Sequence, residues 1–255
     1  MNVKASLTLA VAALSLAVAP YGLAQSEADG PTALIATYRA LPGERVKFRE
    51  IMRTEGCTQF EKWRQSGVFA GFQVLFTTYA ASSQPDMFVI LSFEHVSDMA
   101  RWQRIEESFP GGLPPDAQPI ASADTSYTAD IVRQSSTGPS TRESQLLVLE
   151  YDVLVDMPRY TSYLLGYAVP QFDAWEKTGD LRSYAAYVNQ NPAGAPWSGF
   201  ILLEYRDLKA LAAREVIQNQ ASAELAASDP AWKGWSDNRT AISRESAAIP
   251  VRALP

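Results

Sequence analysis

The chain predicts an α+β protein made of two βαββαβ units packed sheet to sheet within one polypeptide. Three observations lead there. First, segments recur at one constant offset: Gln59-Phe60-Glu61-Lys62-Trp63 reappears as Gln171-Phe172-Asp173-Ala174-Trp175, Gly67 falls on Gly179, Phe88 on Phe200, Leu91 on Leu203 and Leu34 on Leu146. That spacing is too long for a solenoid repeat and suits a duplicated unit of domain size. Second, apolar runs of strand length and stretches of helical periodicity follow in the same order in both halves. Third, the strand runs Leu146-Leu147-Val148-Leu149 and Phe200-Ile201-Leu202-Leu203 are continuously apolar, as expected when both faces of a sheet are covered.

The elements follow in order. Residues 33–39 and 145–151 read as first strands. Helical stretches follow at 43–66 and 156–178; in the second, Tyr160, Tyr163, Leu164, Tyr167, Phe172 and Trp175 recur near every third or fourth position, as a buried face requires. Gly56 and Pro170 are expected to interrupt these helices. Strands at 68–79 and 181–190 lead through turns at Ser82–Pro85 and Asn191–Gly194 into strands 87–94 and 199–205. Second helices start near Ser97 and Asp207, each a suitable N-cap. Last strands are expected at 124–133 and 239–246. This is the order of the ferredoxin-like unit.

The predicted organisation is a leader at 1–24, a short linker at 25–32, unit one at 33–133, a linker at 134–144, unit two at 145–248 and a tail at 249–255. The leader reading rests on Lys4, the apolar run Leu7–Val18, Pro20, and small residues before a cleavage point after Ala24. The run is short for a bilayer span, so the expected location is the periplasm or the exterior. Net charge is −6, and one unit more negative once Lys4 leaves with the leader. An acidic chain without basic clusters is a poor match to nucleic acid or anionic lipid. One cysteine, Cys57, and one histidine, His95, exclude an intrachain disulfide and a Cys/His-rich zinc site. No Gly-rich phosphate loop or Gly-x-Ser-x-Gly elbow is present, so no nucleotide-type cofactor is expected.

With its element order, its duplication, the aromatic first helices (Phe60, Trp63; Phe172, Trp175) and the steps Phe93-Glu94-His95 and Tyr205-Arg206-Asp207, the chain resembles the dimeric α/β-barrel superfamily. That superfamily includes the NIPSNAP-like proteins, antibiotic-biosynthesis monooxygenases, EthD-like proteins and the chlorite-dismutase group. The resemblance implies barrel closure within one chain, so a monomer suffices for it while a dimer stays open. It also implies a choice among oxygenase, isomerase, decarboxylase and haem chemistry, which only a site can make.

Candidate site residues follow from position. Glu150 and Glu204 lie late in strands expected to be central, adjacent and parallel, which would set two carboxylates close together as an acid–base pair; pairing with Arg39, Arg182 or Arg206 is the plainer reading. Tyr160, Tyr163, Tyr167, Tyr184, Tyr187 and Trp232 would line an apolar pocket with polar handles, or simply fill a core. Asp229–Trp235 reads as a lid or a packed loop. His95 is a general base or, by resemblance to the chlorite-dismutase group, a haem ligand, although its place in the first unit differs from that group's ligand. The expected function is binding, and conversion without a cofactor (isomerisation, dehydration or oxygenation), of a small, largely apolar molecule. The alternative is a non-catalytic periplasmic binding or interaction protein.

Overall fold

The computed structural model describes residues 30–254. The leader call, 1–24, and most of the 25–32 linker lie outside the described residues. The first half contributes β1 (Thr32–Ala40), β2 (Gly71–Thr77), β3 (Met87–Phe93) and β4 (Ala121–Ser136); the second contributes β5 (Gln145–Val153), β6 (Leu181–Asn189), β7 (Gly199–Tyr205) and β8 (Ser243–Ala253). They form one closed barrel in the order β1-β3-β2-β8-β5-β7-β6-β4. Every neighbouring pair is antiparallel.

Closure within one chain agrees with what the resemblance implies, and it takes more than packing one sheet on the other. The two four-stranded sheets also join edge to edge, β4 to β6 and β2 to β8. Joining both edges leaves no strand wholly unpaired on either side, the condition that otherwise invites aggregation.

Helices cover the outside. Between β1 and β2 run α1 (Arg45–Ile51) and α2 (Cys57–Gln65), with α3 (Met99–Glu106) after β3. The second half carries α4 (Met157–Tyr163), α5 (Val169–Thr178), α6 (Leu208–Ala212), α7 (Arg214–Ser228) and α8 (Pro230–Ile242). The expected interruptions take the form of single π-helical turns, Met52–Gly56 and Leu164–Ala168. Pro170 sits at the start of α5, where its missing N–H breaks the ordinary α ladder and a wide turn absorbs the gap. At Gly56 the Met52 side chain lies where a Cβ would be, its sulfur 2.9 Å away. Asp207 caps α6, its Oδ1 accepting from the Ala210 N–H at 2.8 Å.

Three expectations fail at the C-terminus. Asp229–Trp235 is no lid: Asp229 Oδ1 accepts from Ala231 N (2.9 Å) and Trp232 N (3.1 Å), Pro230 opens the first turn, and α8 continues to Ile242. The last strand therefore starts at Ser243 rather than 239. The expected tail at 249–255 is mostly strand, since Ile249–Ala253 belong to β8.

Alternation along the strands divides the core in three. Ala33, Ile35, Leu75, Phe88, Ile90, Val148, Tyr187, Phe200, Leu202 and Val251 fill the barrel interior, as an eight-stranded barrel requires. One mouth is closed by Trp197, from the β6–β7 connection, whose ring meets Tyr127 at 5.8 Å and Phe200 at 5.4 Å. The outward faces of β1–β3 pack on α1–α3, and those of β5–β7 on α4, α5, α7 and α8.

The Tyr160 phenol lies flat on the β7 backbone at Gly199, where a Cβ would meet its Cε1 and Cζ at 2.7 Å. Gly199→Ala is expected to lower stability by about 2–3 kcal/mol, and Tyr160→Leu in the same chain to recover part of it. Urea unfolding of the single and double variants measures both; additive losses would contradict the contact.

Candidate functional site

The antiparallel pairing of β5 with β7 separates the two predicted carboxylates. Glu204 stands opposite Leu146 and Glu150 opposite Phe200, so they lie at opposite ends of the barrel, about 13 Å apart along the strands. The expectation of a close acid–base pair assumed parallel central strands. A hairpin between the second and third strands of each unit reverses the third, so first and third run antiparallel. Neither carboxylate is held by an arginine.

Glu150 is half-buried near the closed mouth, flanked on its strand neighbours by Phe200 and Ala247. Burial alone lifts its carboxyl to about 7 from 4.5. Glu204 is at the open mouth and 3% exposed. Its Oε2 accepts from Ser140 Oγ (3.0 Å) and Ser183 Oγ (2.9 Å), while Oε1 is buried without a partner.

The tyrosines divide as well. Tyr160, Tyr163 and Tyr167 line a cleft of about 90 Å³ between α4–α5 and the outer face of β5 and β7. They stack in a column that continues onto Trp232, with ring centroids 6.0, 5.0 and 5.1 Å apart. Trp232 stands behind the column and donates its Nε1–H to the Tyr167 carbonyl at 2.9 Å. Tyr184 lies elsewhere, its ring against Phe172 and its hydroxyl donating to Asp173 Oδ1 at 2.7 Å. Tyr187 is in the barrel interior and borders the open mouth.

Sequence reading missed five polar lining residues of the cleft: Tyr151, Gln171, Arg214, Gln218 and Glu245. Gln171 was legible, being four positions after Tyr167 on the aromatic stripe and 3% exposed. Arg214 and Glu245 form an ion pair at 3.2 Å on the rim, half-exposed. They come from α7 and β8, distant in sequence, and no local pattern joins them.

Burial sets the chemistry of the cleft. Desolvation raises the phenols of Tyr163 and Tyr151, which line it, well above the ordinary tyrosine range. These hydroxyls stay protonated at neutral pH and act as donors. Glu245 is the one carboxylate among the lining residues. In the first half the corresponding space is packed with apolar rings: Phe60 against Trp63 (5.4 Å), Phe72 (5.6 Å) and Trp102 (6.0 Å), and Phe69 against Phe93 (6.4 Å). Cys57 is buried there too, and desolvation pushes its thiol to about 11, unsuited to nucleophilic work.

Glu150 gives a pH signature. Unfolded, the carboxyl ionises near 4.5; folded, near 7. Between these values the unfolded state sheds its proton first, so stability falls as pH rises through this window and levels above it. Glu150→Gln should remove the effect. Denaturant unfolding is expected to show the variant gaining on the wild type by up to about 3 kcal/mol at about pH 8, with no gain near pH 4.5; a pH-independent difference would contradict the assignment.

No family model matches the chain, and no curated protein matches it in sequence. Solved structures match its fold. A candidate monooxygenase from Lactobacillus acidophilus NCFM superposes with a TM-score of 0.56 at 8% identity, over 89% of this chain and 95% of its own. An anthrone oxidase-like protein gives 0.55 at 12%, over 90% and 92%. A variant of chlorite dismutase from Candidatus Nitrospira defluvii gives 0.52 at 12%, over 89% and 92%.

The last likeness raises the question of haem, and the residues present do not fit it. His95 is exposed at the end of β3, outside the cleft and the open mouth. Apart from its tyrosines the cleft holds no residue of the usual haem-ligand types, and at about 90 Å³ it has no room for a porphyrin. The chain shares the closed-barrel fold of these solved structures and has an aromatic, hydroxyl-bearing cleft in its second half.

Proposed function

We propose that this is an exported protein, built from a duplicated ferredoxin-like unit, that binds a small, flat, largely apolar molecule in the cleft between α4–α5 and β5–β7. The reading extends to chemistry: the cleft holds an enol or phenol as its anion. An anion of that kind reacts with dioxygen or tautomerises without a cofactor, which is the oxygenase or isomerase class suggested by the monooxygenase and anthrone oxidase-like neighbours.

One observation carries the reading. The second half places buried, protonated phenols and a carboxylate–guanidinium pair around one cleft, where the first half packs mostly apolar rings and its buried Tyr38 hydroxyl is taken up by the Gly111 carbonyl. Donors aimed at developing negative charge in a poorly solvated site are the usual device for stabilising an oxyanion. In this scheme Glu245 accepts the substrate proton, Tyr163 and Tyr151 donate to the resulting oxyanion, and Arg214 balances the charge. The stack of Tyr160, Tyr163 and Tyr167 sets a flat wall for the ring. Glu150 and Glu204 stand outside this chemistry, since neither lines the cleft.

The test uses p-nitrophenol, whose visible absorbance reports its own ionisation. Titrated below the pKa of the free phenol, the wild-type protein is expected to raise the phenolate band on binding. Tyr163→Phe should weaken phenolate binding about fivefold, the value of one hydrogen bond near 1 kcal/mol. Leu164→Trp, which fills the cleft, should abolish it. Absence of saturable binding, or binding of the neutral phenol alone, would overturn the reading.

A further inference from the structure

The open mouth of the barrel is a second cavity, remote from the cleft and on the other face of the sheet. It measures about 560 Å³ and lies where β2 and β6 begin and β3, β4 and β7 end. Its wall is polar, with Gln73, Ser92, Gln134, Ser136, Ser183 and Glu204. Its floor is apolar: Ile90, Leu202 and Tyr187, the top layer of the barrel interior. The β4–β5 connection arches over one side. Thr137 N–H and Oγ1 both donate to the Arg182 carbonyl (2.8 and 2.9 Å), and Ser140 reaches the Glu204 carboxylate.

Glu204 is the anomaly. Its side chain is buried, two neutral hydroxyls satisfy one oxygen, and the other oxygen has no donor. Among the described residues no lysine or arginine lies within ion-pair distance of it. Buried carboxylates are ordinarily paired, because an uncompensated charge away from water costs several kcal/mol. Glu204 is also one of the residues that line a cavity with room for a molecule.

From this geometry we infer that the barrel mouth binds a small organic ammonium ion. Its N–H groups donate to Glu204 Oε1 and to the serine and glutamine oxygens around it, and its hydrocarbon part rests on Ile90, Leu202 and Tyr187. A neutral alcohol of the same shape makes the floor contact and one hydrogen bond but leaves the charge unmatched. A carboxylic acid is repelled.

The experiment is calorimetric titration of the protein with 2-phenylethylammonium and with 2-phenylethanol near pH 7, where the amine is charged. The amine is expected to bind saturably and at least about tenfold tighter than the alcohol. Glu204→Gln should lose about tenfold or more of the amine affinity, leave the alcohol unchanged and keep p-nitrophenol behaviour as in the wild type. Equal affinity for amine and alcohol, no saturable binding of the amine, or undiminished amine binding by Glu204→Gln overturns the proposal. Should that variant fail to fold, Gln73→Trp narrows the mouth without touching the carboxylate; it must abolish amine binding, and retention overturns the proposal equally.

Discussion

Two edge pairings hold the rest of the structure in place. β4 meets β6 over seven residue pairs, from Ala129 opposite Asn189 to Ser136 opposite Ser183. β2 meets β8 over only three, Leu75 to Thr77 against Ala253 to Val251. Together they turn two open sheets into one barrel, bury both faces of most strands and fix which side chains point inward. Within the second unit the antiparallel register of β5 and β7 sends Glu150 to one mouth and Glu204 to the other. The short seam tolerates Pro250, whose carbonyl accepts from Thr78 N at 2.8 Å on the β2 side. Its missing N–H faces the same side, so the bond it would return to the Thr78 carbonyl is absent and the β2 ladder ends there.

Within that frame the helix layers of the two halves differ in chemistry more than in shape. The first is filled mainly by phenylalanine and tryptophan rings, with Tyr38 as its one buried phenol. The second carries phenols at related places on α4 and in the π-helical turn, and α7 and α8 bring Arg214 and Trp232 to it. A π turn widens the helix by one residue, which rotates the residues after it relative to those before. Tyr163, just before that turn, and Tyr167, within it, still stack at 5.0 Å, so the column runs into the turn unbroken. A packing layer has thereby acquired hydroxyl donors while keeping a flat apolar wall.

Much of the fold was legible from the residues. Leu146–Leu149 and Phe200–Leu203 are apolar at every position because both sides of those strands are covered, and all of β7 is buried. The tyrosine stripe of the second helix was legible for the same reason, and three of its members do line the cleft. What was lost has physical causes. β8 reads Ser243-Arg-Glu-Ser and includes Pro250, so neither alternation nor propensity marks it. Asp229-Pro230 is a helix start, yet Gly234 and the two tryptophans around it suggested a loop. The rim pair Arg214–Glu245 and the serine and glutamine wall around Glu204 exist only through tertiary contact. The carboxylate pairing failed on strand direction alone, which a hairpin count settles.

The central claim, that the cleft of the second half is a ligand site and the matching layer of the first half is solid core, is tested most directly by diffraction from a crystal soaked in phenol. The account predicts one ring of density beside Tyr163, Tyr167 and Gln171, within hydrogen-bond reach of a tyrosine hydroxyl, and none between α1–α2 and β1–β3. Density in the first-half layer, or an empty second-half cleft at saturating phenol, would contradict it.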